Sequence, residues 1–222
     1  MGGARAPEPR CSLVLDDVGW SVALAGRFAQ LDVPLAFAVL PHAPFAGRCA
    51  RIAHRHGREV LLHLPMAPAR GPDALRPGMD DQAVRRAVAR CLARVPYARG
   101  VNNHMGSVAT RNRALMRRLM GVLAERGLFF LDSLTTPHSV AVQEARRRGV
   151  PALANWCFLD HGRPSRRVLR HRVWRLICRA HRRGHAVAIL HARRRSLRVL
   201  RTVVPQVEAN GVRWARCSEL AR

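Results

Sequence analysis

The sequence predicts a single α/β domain, a distorted (β/α) barrel of about seven strand–helix units. Three observations predict it. Short apolar runs alternate with amphipathic, helix-period runs along the whole chain. The 222 residues suit one barrel and are short for two full domains. Polar residues able to do chemistry recur where the apolar runs end, and in a (β/α) barrel those ends converge on one face.

Taken in order, residues 1–10 read as a short basic tail and 11–222 as the barrel domain. "CSLVL" (11–15) is the first strand and ends in Asp16 and Asp17. Helical stretches near 20–31 and 45–56 lead into the strands "PLAFAVL" (34–40) and "EVLLHLP" (59–65). The Pro/Gly-rich segment 66–81 reads as a loop over one barrel mouth. A long helix near 80–94 precedes "GVNNH" (100–104). "RALMRRLMGVLAERG" is helical by its apolar spacing, with Gly127 as its C-terminal cap, and delivers the chain to "LFFLDS" (128–133). "PALANWCFLD" (151–160) reads as one strand after a helix over 140–149. The basic stretch 163–184 precedes "HAVAILH" (185–191), and 196–210 precedes a last short strand, "VRWAR" (212–216).

Composition narrows the function classes. Apolar residues make up 48%, enough for a sizeable core, and exclude disorder as the main state. The formal net charge is +25, from 39 basic residues against 14 acidic ones. Every basic residue is arginine, the mark of a GC-rich coding bias. The deficit of acids is not forced by base composition, and it favours anionic partners. The six cysteines contain no Cys-x-x-Cys pair and sit in apolar runs, so they read as buried reduced thiols. No apolar run approaches the roughly 18 residues of a membrane helix. "MGGARAPEPR" has no hydrophobic segment, which places the protein in the cytoplasm unless a signal lies upstream, and in the periplasm or cell envelope if one does.

The chemistry is concentrated at strand ends. Asp16 and Asp17 close the first strand, His63 lies in the third between leucines, and Asn102, Asn103 and His104 close the fourth. Asp132, Asp160 and His191 close the next three. Four of the 14 acids occupy these positions. Converging carboxylates and imidazoles are typical ligands of one divalent ion, zinc foremost, with a second carboxylate beside the ligand free to act as base. Plainer readings stand beside these. His63 suits a hydrogen-bonded core histidine, the Asp pair suits helix capping, Asn102 and Asn103 suit turn bonding, and Asp160 with His161 suits a surface pair. The remaining histidines, His42 among them, show no ligand spacing and read as surface or helix residues.

"LVLDDVG" (13–19), "EVLLHLPM" (59–66), "GVNNHMGS" (100–107), "LFFLDSLTT" (128–136), "FLDH" (158–161) and "HAVAILH" (185–191) together resemble the divergent polysaccharide deacetylase family. The match is colinear from Cys11 onward. The resemblance implies a distorted barrel, a single zinc or similar ion, and removal of acetyl groups from a carbohydrate polymer. It implies Asp16 as base, Asp17 and His104 as metal ligands, and His191 as general acid. His63 is inferred as the third ligand, and Asn103, Asp132 and Asp160 as substrate-binding residues, with Asp132 alternatively orienting a neighbour. The sequence departs from the related deacetylases in four places. Val108 stands where a second ligand histidine would follow His104, and Ala67 replaces an acidic residue. Asn155 replaces an arginine, and Leu190 replaces a glycine that keeps the cleft wide before His191. These departures motivate the alternative, a non-catalytic member of the fold that binds a glycan or a partner.

The arginine-rich helices over 163–184 and 192–201 read as solvated faces. Aromatics are 5% and do not interleave with the arginines, so no specific nucleic-acid partner is expected. Nonspecific attraction to anionic polymers is expected.

Overall fold

The computed structural model describes residues 8–221. In chain order the elements are β1 (Arg10–Val18), α1 (Val22–Ala29), β2 (Leu35–Val39), α2 (Ala46–Arg55), β3 (Val60–Met66), α3 (Asp81–Arg94), β4 (Ala98–Met105), α4 (Arg113–Glu125), β5 (Phe129–Asp132), α5 (Ala141–Arg147), β6 (Ala152–Ala154), β7 (Cys157–Phe158), α6 (Arg166–Arg183), β8 (His185–His191), α7 (Arg194–Glu208), β9 (Arg213–Trp214) and α8 (Cys217–Leu220). All strand pairs are parallel, in the order β6-β5-β4-β3-β2-β1-β8-β7, with β9 also on β1. The single (β/α) domain predicted from the alternation is the fold observed.

Two expectations need correction. The stretch 151–160 is not one strand. It splits into β6, paired with β5, and β7, paired with β8. These are the two ends of the sheet, so the barrel is a curled sheet bridged only by the chain itself. At the bridge, Asn155 N–H donates to the Asp132 carbonyl and Trp156 N–H to that of Val187, each at 2.8 Å. The boundary at residue 11 also moves, because Arg10 already pairs with His185 and Arg213. The rest of the basic tail expected over residues 1–10 falls mostly on residues 1–7, outside the described residues. Gly127 takes φ +63°, as expected of a residue ending α4. The 66–81 segment folds back beside β3 through a Met66–Leu75 bridge, burying Asp73, Ala74 and Leu75.

Strand alternation divides the core in two. Leu13, Leu15, Leu62, Leu64, Ala188 and Leu190 belong to the cluster shared with the helices. Val14, Ala36, Ala38, Leu61, Leu131, Val187 and Ile189 form a second cluster inside the curl. Gly100 faces this interior, and a Cβ there would stand 2.6 Å from the Phe129 ring. At the amino ends of the strands, Ala215, Cys217 and Leu220 of the C-terminal segment join the inner cluster. Glu59 there accepts the Cys217 and Ser218 backbone N–H groups. With one end plugged by apolar and capped groups, the opposite end holds the polar residues. The six cysteines are all free, four of them buried.

Candidate functional site

The inward positions at the carboxyl ends of the strands are polar: Asp16 on β1, His63 on β3, Asn102 on β4 and His191 on β8. Register aligns them, with Asp16 opposite His191 and His63 opposite Asn102. Asp16, His63 and His191 line a cleft of about 410 Å³ that also touches Asp17 and His104, while Asn102 is fully buried behind them.

Asp16 and Asp17 are adjacent, so regular alternation would send one of them outward. A bulge prevents this. Leu15 pairs with Phe37 and Val18 with Val39, so β1 spends three steps where β2 spends two. Asp17 takes up the extra residue at φ +60°. β1 therefore runs on through both acids rather than ending before them, and both reach the cleft.

Asp17 Oδ1 lies 3.5 Å from His63 Nε2 and 3.4 Å from His104 Nδ1, and the two imidazole nitrogens are 3.2 Å apart. All three donor atoms lie within 4.8 Å of one another. His63 Nδ1 donates to Asn102 Oδ1 at 2.9 Å, which turns Nε2 toward Asp17. Asn102 Nδ2 donates in turn to Asp16 Oδ1 at 2.8 Å. Asp16 is buried, and its Oδ2 lies 3.7 Å from His63 Nε2.

The two acids differ electrostatically. Burial pushes the Asp16 carboxyl above the usual carboxylate range, only partly offset by His63 and Asn102. Burial also acts to raise Asp17, but hydrogen bonds from His104 and His63 outweigh it, and its carboxyl is held well below that range. Burial disfavours a charged His63, yet Asp16 and Asp17 together raise its pKa. The two carboxylates thus favour a positive charge on His63. One anionic oxygen and two imidazole nitrogens form a three-ligand set of the zinc type, so the residues fit a single divalent ion.

His191 faces this set across the cleft. Its Nδ1 donates to Asp160 Oδ1 at 2.9 Å and its backbone N–H to Oδ2 at 3.0 Å. Ser196 Oγ donates to the same Oδ2 at 2.9 Å. Burial lowers the His191 pKa, but the Asp160 contact prevails and the net direction is upward.

The sequence-predicted residues therefore separate. Asp16, Asp17, His63, His104 and His191 come together. Asn103 lies at the cleft edge, but its Oδ1 accepts the Ser133 N–H and its Nδ2 donates to the Met105 carbonyl, so both ends of its amide are engaged. Asp160 is not a surface partner of His161 and does not line the cleft; it is buried behind His191. Asp132 follows the inward Leu131 and so faces away. It accepts the Leu134 N–H and the Ser139 hydroxyl, which fixes the following loop, so of its two readings the geometry favours orienting a neighbour. Leu190 is fully buried on the helix side and does not narrow the cleft. Asn102, read from the sequence as a turn residue, is instead the link between His63 and Asp16. Ser196 was not singled out. Only its helix-initial position marked it, and its partner lies 36 residues away.

A curled parallel sheet with an Asp-His-His donor set at the carboxyl ends of its strands defines a protein of the polysaccharide-deacetylase type. The chain belongs to the divergent polysaccharide deacetylase family, matching it over residues 13–221. It is 36% identical over 199 residues to the uncharacterised protein YibQ of Escherichia coli (strain K12), covering 88% of this chain and 62% of YibQ. The chain thus spans less than two thirds of that relative's length. An uncharacterised protein from Agrobacterium tumefaciens C58 superposes with a TM-score of 0.85 at 23% identity, covering 99% of this chain and 92% of the other. A mutant CE4 family pseudoenzyme with restored enzymatic activity superposes at 0.62 with 15% identity, covering 97% and 68%. At these identities the structural likeness is one of fold.

Proposed function

We propose that the protein is a metal-dependent hydrolase that removes acetyl groups from a carbohydrate polymer, with zinc as the ion. The observation that carries this reading is the convergence of Asp17, His63 and His104 within 4.8 Å, with Asp16 and His191 in the same cleft. When bound, the ion would polarise the acetyl carbonyl and acidify a water molecule. Asp16, held by Asn102 beside the donor set, takes the proton from the attacking water. Burial raises its pKa, which makes it a stronger base than an ordinary carboxylate. His191, whose pKa the Asp160 contact raises, gives a proton to the departing amine or alkoxide. Asn102 and Asp160 act through His63, Asp16 and His191 and are positioning residues.

An acetylated envelope glycan as substrate places the working protein in the periplasm or cell envelope, which fractionation of the native protein checks. Among the described residues no helix is long and apolar enough to cross a membrane. The arginines of α6, none of them paired with a carboxylate among the described residues, add nonspecific affinity for anionic polymers, and no specific nucleic-acid partner is proposed.

The test is acetate release from N- and O-acetylated glycans by zinc-loaded protein. Expected is turnover that is lost in Asp16→Asn while the metal is retained. Zinc-loaded protein that releases no acetate but still binds these glycans would replace this reading with a second one, a glycan-binding member without catalysis. That reading is favoured by Val108, a half-exposed apolar residue where the related deacetylases carry a ligand histidine. It also has precedent in a CE4 family pseudoenzyme of the same fold.

A further inference from the structure

A second group of metal donors lies outside the cleft. His42 in the loop after β2, Asp73 in the loop after β3 and Cys91 on α3 each bring one donor atom within 4.8 Å of the other two. His42 Nε2 is 3.3 Å from Asp73 Oδ2. Arg90 holds the other oxygen, Oδ1, at 2.7 Å through Nε and 2.6 Å through Nη2. That clamp fixes the carboxylate and leaves Oδ2 toward the imidazole, as an outer partner orients a metal ligand. Cys91 and Asp73 are buried, whereas the His42 side chain is 36% exposed, so the group is reached from solvent on the histidine side.

We propose that His42, Asp73 and Cys91 form a second metal site, for a divalent ion of the borderline or soft class that accepts thiolate, zinc foremost. Imidazole, carboxylate and thiolate are the three donor types that zinc accepts, and three protein ligands leave a fourth position for water. Burial, with the Asp73 charge nearby, pushes the Cys91 thiol up to about 12, so the free site holds a neutral thiol. Binding exchanges that proton for the metal and releases it to bulk water. The site pins the 66–81 segment to the buried face of α3, through Cys91, and to the loop after β2, three pieces of chain that share no strand pairing.

The cleft site has no cysteine, so cobalt separates the two. Protein stripped with chelator and titrated with Co²⁺ is expected to bind about two equivalents and to develop thiolate-to-cobalt charge-transfer absorption in the near ultraviolet. His42→Ala and Cys91→Ser are each expected to lose that absorption and one equivalent. His104→Ala is expected to lose the other equivalent and keep the absorption. His42 is exposed, so its variant stays informative if Cys91→Ser fails to fold. Absence of the charge-transfer absorption in the wild type, or its survival in His42→Ala, overturns the proposal and leaves Asp73 as an ion-pair anchor for its loop. Neither outcome depends on acetate release, so this inference and the deacetylase reading fail separately.

Discussion

Asp16 and Asp17 show how two identical side chains acquire different chemistry from their surroundings. Asp17 receives hydrogen bonds from two imidazoles and stays anionic, as a metal ligand must. Asp16 is more deeply buried and holds a proton more readily, as a base must once it has taken one. Asp16→Asn should lower turnover by about 10²–10⁴-fold with zinc content unchanged, read by steady-state kinetics alongside metal analysis. The Asp160–His191 pair predicts a pH effect. A general acid works in its protonated form, so activity falls as pH rises through the His191 pKa. That pKa is raised above its ordinary value by Asp160, which moves the alkaline limb upward. Asp160→Asn should shift the limb to lower pH, and a pH–rate profile with an unmoved limb would remove His191 from the acid role. Asp16, Asp17, His63, His104 and His191 were legible in the sequence because polar groups inside or ending apolar strands stand out against the pattern. Asn102 was not, because its meaning lies in contacts with residues 39 and 86 positions away.

At the scale of elements, register and alternation decide which side chains meet. Asp132 and Asp160 look alike in sequence, each ending a run of the type Phe-Leu-Asp. Asp132 continues a regular strand past the inward Leu131 and faces outward, whereas Asp160 follows the two-residue strand β7 and turns in behind His191. No local spacing separates the two cases. Gly100 offers a test of the interior packing. Gly100→Ala would press a methyl group into the Phe129 ring, and the expected cost is about 1–3 kcal/mol of unfolding free energy. Chemical denaturation should show this loss, and Phe129→Leu in the same chain should recover part of it. A fully additive double variant would mean that the two positions do not share the space.

Across the whole molecule, charge is unevenly spread. α6 carries eight arginines and no acid, and none of its guanidinium groups forms an ion pair with a carboxylate among the described residues. Trp174 on the same helix is 60% exposed. Binding to heparin or single-stranded DNA should therefore be measurable at low salt and fall steeply with rising ionic strength, without sequence preference. Replacing Arg167 and Arg170 by Glu should reduce the salt slope, as titrations at several salt concentrations would show, and leave acetate release unchanged.

The sequence by itself determined the strand–helix alternation, the single parallel sheet and the strand-end positions of the acids and histidines. Those follow from periodicity and from polar residues placed where an apolar pattern stops, both local properties of the chain. Tertiary structure alone decided that the sheet curls without closing, that 151–160 divides between its two edges, and that a one-residue bulge aims both aspartates into one cleft. It alone placed Asn102 between His63 and Asp16, and set His42 beside Asp73 and Cys91. Each of these depends on strand register and on packing between distant segments, and neither is encoded in the spacing of residues along the chain.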